Sequence, residues 1–323
     1  MKMKKKNWRL SDLNIVFMGT PEFAVPSLEK LIEFGHNVML VITQPDKPRG
    51  RGKKISYSPV KECAIKNNID VFQPPKLKNN KEVFDKLRKL NPDLIVVAAY
   101  GKILPEEILQ IPRYGCINVH ASLLPKYRGA APINWAVING EKETGITIMY
   151  MEKGLDTGDI LLQKSIPILE EDNSETVHDK LAVLGGNALI EAINKMVDGA
   201  LKPVKQDDSK ATYAPILEKS IGLIDWQKSA VEIKNLVRGL RPWPVAYTYY
   251  KGNMLKIWAA EVYSYEGKEK PGTIITTGSA LIVKCGKDAL KILEIQSEGK
   301  RRMTVEEFLR GHTIEKGEQL EGI

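Results

Sequence analysis

The sequence is poor in cysteine and contains no long apolar run. Its three cysteines, Cys63, Cys116 and Cys285, are far apart and form no C-x-x-C pair, which argues against a disulfide framework and against a zinc site. No apolar run reaches the roughly 18 residues that a membrane-spanning helix needs. The basic first residues are followed by polar Ser11 and Asp12 rather than by the apolar segment of a signal peptide. These absences predict a cytoplasmic protein without a membrane anchor.

Length and charge narrow the possibilities further. At about 150 residues per domain, a chain of 323 residues is expected to form two domains. The formal net charge of +8 permits a polyanionic partner but does not prove one, because lysines spread evenly over the surface give the same net charge. The sequence has no G-x-G-x-x-G motif, which argues against a dinucleotide-dependent dehydrogenase.

The first two thirds of the chain alternate between strand and helix patterns. Short apolar runs, typical of parallel strands covered on both faces, occupy residues 14–18, 38–43, 94–99, 116–120 and 145–149. Helical patterns occupy residues 20–34, 58–67, 81–90 and 175–197. The first of these helices is expected to begin with Thr20 as its N-cap and Pro21 at its first helical position. The alternation predicts a Rossmann-like α/β fold with a mostly parallel sheet.

The pattern changes near residue 205. A polar segment predicts a linker, and the helix predicted over residues 230–239 is followed by closely spaced β-type runs, which predict a small β-barrel. We therefore expect a basic N-terminal extension, an α/β domain, a linker and a C-terminal barrel, over residues 1–13, 14–204, 205–213 and 214–323.

The strongest chemical pattern lies at the end of the fourth predicted strand. Asn118 and His120 are two residues apart, so they point to the same face of the strand. Ligand sites of open α/β sheets gather at this carboxyl edge. An asparagine amide can stabilise a developing oxyanion, and a histidine can transfer a proton near neutral pH. If the Gly-rich turn after the next strand folds back, Asp156 would orient the His120 ring.

Several motifs together resemble the methionyl-tRNA formyltransferase family. They occupy residues 19–23, 43–48, 50–54, 99–101, 118–125, 128–132 and 154–159, and further matches occur at residues 224–226 and 242–244. The Asn118-x-His120 pair and the Ser-Leu-Leu-Pro run after it are also similar to those of the wider group of enzymes that use 10-formyltetrahydrofolate. That part therefore indicates the formyl donor but not the acceptor.

The resemblance implies a reaction and a set of residues. A formyl group would pass from 10-formyltetrahydrofolate to the α-amino group of methionine on initiator methionyl-tRNA, for the initiation of protein synthesis. Asn118 and His120 would stabilise the oxyanion, and Asp156 would be the third catalytic residue. The residues implied for the folate site are Ser122, Leu123, Leu124, Pro125, Tyr100 and Gly101. No metal is expected, the C-terminal barrel would be OB-like and bind tRNA, and nothing indicates an obligate oligomer, so a monomer is expected.

A basic Gly/Pro-rich stretch follows the second predicted strand. Its basic residues are Lys47, Arg49, Arg51, Lys53 and Lys54. The prolines and glycines predict an extended loop at the site edge, where basic side chains can contact the phosphates of an RNA end. The resemblance implies that this loop binds the tRNA acceptor.

Three other functions remain to be weighed. A folate-dependent N-formyltransferase that acts on an amino sugar nucleotide is the nearest alternative, but it has no use for so many phosphate contacts. A purine-pathway formyltransferase would carry a Gly-rich phosphate loop where this chain has Gly19-Thr20-Pro21. A non-catalytic RNA-binding protein would not need Asn118, His120 and Asp156 together.

Overall fold

The computed structural model describes residues 13–49 and 54–322. It divides into two compact units. The first unit comprises the described residues up to 130 together with residues 145–166 and 178–213. The second unit comprises residues 131–144 and 167–177 and the described residues from 214 onward.

The described chain up to residue 214 contains eleven strands and six α-helices. The strands are β1 (Asn14–Gly19), β2 (Asn37–Ile42), β3 (Lys47–Arg49), β4 (Lys54–Ser56), β5 (Val71–Phe72), β6 (Leu94–Ala98), β7 (Cys116–His120), β8 (Arg128–Gly129), β9 (Glu143–Tyr150), β10 (Ile160–Pro167) and β11 (Tyr213–Ala214). The helices are α1 (Val25–Glu33), α2 (Pro59–Lys66), α3 (Lys81–Leu90), α4 (Glu106–Leu109), α5 (Pro132–Ile138) and α6 (Ser174–Val197).

Seven of these strands form one sheet in the order β10-β9-β7-β6-β1-β2-β5. The pairs of β1 with β2 and β6, of β2 with β5 and of β6 with β7 are parallel, whereas β9 runs antiparallel to β7. The apolar strands β1 and β6 are buried along almost their whole length, as expected for strands with helices on both faces. The predicted Rossmann-like, mostly parallel sheet is confirmed.

The first helix starts later than the sequence predicted. Pro21 precedes a 3₁₀ turn at Glu22–Ala24, and α1 begins only at Val25. An α-helix that started at Pro21 would place Pro26 in its interior, where the missing N–H breaks a backbone hydrogen bond. Proline fits the first turn of a helix, so Pro26 fixes the start of α1 directly before it.

The long helix α6 is not interrupted at its two adjacent glycines. A Cβ at Gly186 would lie 2.8 Å from the carbonyl oxygen of Pro26, and one at Gly185 would lie 3.0 Å from a methyl carbon of Val119. The glycines therefore permit close packing of α6 rather than ending it. The edge strand β10 was not predicted, and its alternating burial is typical of a strand with one solvated face.

The second unit is built around an antiparallel sheet. Its further elements are α7 (Ala230–Gly239), β12 (Ala246–Tyr250), β13 (Asn253–Tyr263), β14 (Ile274–Thr276), β15 (Leu281–Lys284), β16 (Ala289–Ser297), β17 (Met303–Thr304) and α8 (Val305–Gly311). The sheet order is β12-β13-β16-β15-β14, and β17 also pairs with β16. A core that includes Trp226, Ile233 and Leu290 fills it. The predicted small barrel-like domain is confirmed.

Candidate active site

The candidate site lies where β6 and β7 end, at one edge of the parallel sheet. Val97 pairs with Asn118 in register. The loop that follows β6 after Ala98 and the loop that follows β7 after His120 are therefore neighbours at this edge. Asn118 is half-buried, and no hydrogen bond joins its side chain to any residue that the structure describes. The Asn118 amide therefore retains its donor groups for a ligand.

His120 is buried, and each of its two ring nitrogens has a neighbour. Nε2 lies 3.0 Å from the carbonyl oxygen of Tyr127. A carbonyl oxygen can only accept, so Nε2 carries a proton and donates it. Nδ1 lies 3.6 Å from Oδ2 of Asp156. That distance is too long for a hydrogen bond but suits an ion pair with a protonated imidazole.

The turn that carries Asp156 does fold back towards His120. Asp156 has a φ of 52°, in the left-handed region that non-glycine residues seldom occupy. Its Oδ2 also accepts a hydrogen bond of 2.9 Å from the backbone N–H of Gly129. The Asp156 carboxylate is thus held between a backbone donor and the His120 ring.

Side chains of β9 and β10 hold residues 122–125, the segment that the resemblance implies for folate binding. Thr147 is fully buried, and its hydroxyl donates to the Ser122 carbonyl at 2.7 Å and accepts from the Leu124 N–H at 3.1 Å. Gln163 Nε2 donates to the Leu124 carbonyl at 2.8 Å and to Thr147 Oγ1 at 2.9 Å. The peptide bond between Leu124 and Pro125 is cis. Leu123 is half-buried.

Tyr100 and Gly101 follow β6 at the same edge. Gly101 has a φ of 75°, which favours glycine, and the Gln44 amide donates to the Tyr100 carbonyl at 2.9 Å. The Tyr100 hydroxyl is buried without a hydrogen-bond partner among the described residues. Burial raises the pKa of Tyr100 to about 12, so the hydroxyl stays protonated at neutral pH.

The described parts of the basic stretch are β3 and β4, which pair in antiparallel fashion and are called the basic hairpin here. Lys47 pairs with Ser56 and Arg49 with Lys54. Arg51 and Lys53 lie outside the described residues. Lys47 is exposed, and its positive charge contributes, after desolvation, to a lowered pKa of Lys102. This effect places Lys47 near the loop that follows Gly101.

Asp46 anchors the base of this hairpin. Its carboxylate accepts from Lys61 Nζ at 2.5 Å and from Gln73 Nε2 at 2.9 Å. Burial opposes ionisation of Asp46, but the hydrogen bonds from Lys61 and Gln73 and the charge of Lys61 lower its pKa. The carboxylate is therefore ionised at neutral pH and fixes where the hairpin leaves the sheet.

Sequence reasoning gave no role to four side chains that support the site: Thr147, Gln163, Arg128 and Gln206. Gln163 lies on β10, which was not predicted, and Gln206 lies in the segment expected to be a linker. Buried polar residues can be found from sequence only if the fold around them is known. Among the described residues, no group of three or more His, Cys, Asp or Glu side chains is arranged to hold a metal ion. No helix in the described ranges is long and apolar enough to span a membrane.

Comparison with known proteins identifies the class. The model of a formyl transferase domain matches residues 13–193, and that of a formyl transferase C-terminal domain matches residues 216–313. Together these matches cover most of the chain, so the chain belongs to the formyl transferase family.

Relatives of high sequence identity are methionyl-tRNA formyltransferases. The chain is 62% identical over 305 residues to a methionyl-tRNA formyltransferase of Caldanaerobacter subterraneus subsp. tengcongensis, covering 94% of this chain and 99% of the relative. It is 56% identical to a methionyl-tRNA formyltransferase of Acetivibrio thermocellus, covering 95% and 99%. An N-formyltransferase from Helicobacter canadensis, solved with folinic acid and dTDP-3-aminofucose, has a TM-score of 0.65 and 19% identity over 88% of this chain and 99% of that one. At that identity, the last comparison shows a shared fold only.

Proposed function

We propose that this protein is a methionyl-tRNA formyltransferase, which moves a formyl group from 10-formyltetrahydrofolate to the α-amino group of methionine on initiator methionyl-tRNA. The observation that carries the proposal is the convergence of Asn118, His120 and Asp156 at one sheet edge, in a chain that is 62% identical over nearly its full length to a relative of that name. The enzyme works as a monomer in the cytoplasm and provides formylated initiator tRNA for protein synthesis.

The acceptor amine must attack unprotonated, and a free α-amino group has a pKa of about 7.7–8.0, which permits attack near neutrality. The folate supplies an activated formyl carbon. As negative charge develops on the formyl oxygen, the unpartnered Asn118 amide donates to it. His120 Nδ1 is the ring nitrogen that remains for the substrate, because the Tyr127 carbonyl engages Nε2. Asp156 keeps that nitrogen oriented and stabilises the imidazolium when the amine proton is transferred. As the bond between the formyl carbon and the folate nitrogen breaks, the His120 imidazolium returns this proton to the departing folate nitrogen.

The folate binds beside these groups. Residues 122–125 and the Tyr100–Gly101 turn flank the same sheet edge as Asn118. The half-buried Asn118 amide at this edge is the donor that faces the formyl group of the folate. Residues 14–204 thus carry formyl transfer, and residues 214–323 bind tRNA beyond a linker at 205–213.

The deciding experiment compares three acceptors with 10-formyltetrahydrofolate as donor: charged initiator tRNA, free methionine and an amino sugar nucleotide. We expect rapid transfer to the charged tRNA and negligible transfer to the other two. Transfer to the sugar nucleotide, with the tRNA inert, would replace this proposal with the alternative. The structural similarity to sugar-modifying enzymes does not favour that outcome, since it extends to the fold alone.

The basic hairpin selects the tRNA. Lys47, Arg49, Arg51, Lys53 and Lys54 contact phosphates of the acceptor end. For Arg51→Ala we expect a roughly 5- to 10-fold higher KM for charged tRNA and a salt dependence of binding reduced by about one unit of slope. The KM for folate should stay unchanged, and an equal loss for both substrates would remove Arg51 from the tRNA contacts.

A further inference from the structure

The turn that carries Asp156 is held by a second set of side chains that no motif reveals. Gln206 is 6% exposed, and its Nε2 donates to the carbonyl oxygens of Asp156 at 2.8 Å and Gly158 at 2.7 Å. These bonds use both protons of the Gln206 amide and hold the turn at two of its backbone carbonyl groups. A residue at a φ of 52° needs such support, because this conformation is unfavourable for a side chain with a Cβ.

The orientation of the Gln206 amide is itself fixed by Arg128. The Arg128 guanidinium is 3% exposed and donates from Nε at 3.1 Å and from Nη2 at 2.8 Å to Gln206 Oε1. Nη2 also donates to Asp208 Oδ1 at 2.8 Å. With both lone-pair positions of Oε1 occupied by donors, the Gln206 amide cannot turn over without losing four hydrogen bonds.

Arg128 also lies between the two backbone groups that touch the candidate catalytic pair. The carbonyl oxygen of Tyr127 accepts from His120, and the N–H of Gly129 donates to Asp156. The position of Arg128 along the chain is set by its N–H, which donates to the Thr212 carbonyl at 2.9 Å. One short strand and one buried guanidinium therefore fix both partners of the His120–Asp156 pair.

We propose that Gln206 and Arg128 are positioning residues for formyl transfer, which act by holding the Asp156 carboxylate against Nδ1 of His120. This inference rests on the proposed function and adds two residues to it. Neither side chain needs to touch a substrate. The alternative is that the two residues serve folding only, as buried polar groups often do.

Gln206→Glu tests the inference, because glutamate keeps the shape and the contact with Arg128 but turns two donors into acceptors that face the carbonyls of Asp156 and Gly158. We expect kcat for charged initiator tRNA to fall about 10- to 100-fold, since small displacements of a catalytic group have effects of that size. The Kd for the folate, measured by titration, should change less than about 2-fold.

A double-mutant cycle separates positioning from folding. In an Asp156→Asn background, Gln206→Glu should lower kcat by no more than about 3-fold, because the group that it positions has lost its charge. Equal losses in both backgrounds would overturn the inference. If Gln206→Glu does not fold, Arg128→Lys takes its place in the same cycle, because lysine keeps the buried charge but cannot bridge Gln206 and Asp208.

A readout without turnover completes the test. In protein carrying ¹⁵N-labelled histidine, the Nδ1 resonance of His120 should shift in Gln206→Glu in the same direction as in Asp156→Asn, and an unchanged resonance would contradict the inference. Gln110→Glu, at an exposed glutamine, controls for the added charge and should leave all rates unaltered. A wild-type enzyme that does not formylate charged tRNA would instead refute the proposed function, whereas full activity of Gln206→Glu would refute only the positioning role.

Discussion

Each of the two units contains a fully buried threonine whose hydroxyl both accepts and donates hydrogen bonds. The role of this threonine differs between the two units. In the first unit, Thr147 joins two backbone groups of the segment at residues 122–125. In the second unit, the hydroxyl of Thr248 accepts from the Trp226 indole at 3.1 Å and donates to the Glu321 carbonyl at 2.7 Å. Thr147 thus supports a surface that must present groups to a ligand, whereas Thr248 ties the end of the chain to the sheet.

This contrast extends to the other polar contacts of the two units. In the first unit, buried or half-buried polar side chains hold loops at the carboxyl edge of the parallel sheet, where a ligand can reach them. In the second unit, Lys284 donates to the carbonyl oxygens of Cys285 and Asp288 within its own turn. Substitution of these buried polar side chains should therefore change kinetics in the first unit and stability in the second.

The largest effect is expected for His120→Ala. The substitution removes the ring that faces Asp156, so kcat should fall by about 100- to 10,000-fold. Binding of folate and of charged tRNA should persist, because the residues assigned to both substrates remain. Steady-state kinetics with equilibrium binding tests this separation. Near-wild-type turnover would remove His120 from the chemistry.

Thr147→Val and Thr248→Val test the contrast directly. Valine preserves the size of the side chain but leaves buried backbone groups without their partner, at a cost of about 1–3 kcal/mol. For Thr147→Val we expect a roughly 10-fold rise in the KM for folate, since the segment at residues 122–125 loses its support. For Thr248→Val we expect unchanged kinetics and a Tm lower by several degrees. A fall of roughly 1–2 kcal/mol in the free energy of unfolding implies a shift of that size.

The outcome that would break the contrast is a Thr248→Val enzyme with an altered folate KM at a temperature where it remains folded. Thermal unfolding followed by circular dichroism gives the Tm of both variants, and the kinetics are measured well below it. If Thr147→Val lowered only the Tm, the support of the folate segment would be purely structural.

The central parallel strands of the sheet, and the common face of Asn118 and His120, were predictable from the sequence for a clear physical reason. Buried parallel strands have continuous apolar runs, and a pair such as Asn118 and His120 is recognisable from its spacing on one strand. The 3₁₀ turn before α1 was predictable in principle, because Pro26 cannot lie in a helix interior. The bonds of Gln163 and Gln206 were not, since they join residues that are 39 and 48–50 positions apart.

Asp46→Asn tests the anchor of the basic hairpin, with a smaller effect. Asparagine keeps the shape of the side chain but loses the ion pair with Lys61. The hairpin should therefore be held less rigidly at the point where it leaves the sheet. We expect a roughly 3- to 5-fold higher KM for charged tRNA and an unchanged KM for folate, which corresponds to about 1 kcal/mol. A larger effect on folate than on tRNA would show that Asp46 supports the site and not the hairpin.

The smallest effect should come from Glu318 in the second unit. Its carboxylate accepts from the Glu315 N–H at 2.9 Å, from Lys251 at 2.7 Å and from the Tyr250 hydroxyl at 2.5 Å, and these contacts lower the pKa of Glu318 to about 2. Because the folded pKa lies below the unfolded value of about 4.3, the stabilisation is complete above pH 5 and is lost as the pH falls towards 2.

Glu318→Gln should therefore lower the Tm by about 1–2 °C at pH 7, and the difference from wild type should shrink as the pH falls from 5 to 2. Thermal unfolding at several pH values measures it, and kcat should not change at neutral pH. Since Glu318 is partly exposed, salt should weaken the effect by screening the contact with Lys251. A difference that grew towards low pH would reverse the sign and contradict the role of the ionised carboxylate, while altered kinetics would show that this edge of the second unit takes part in formyl transfer.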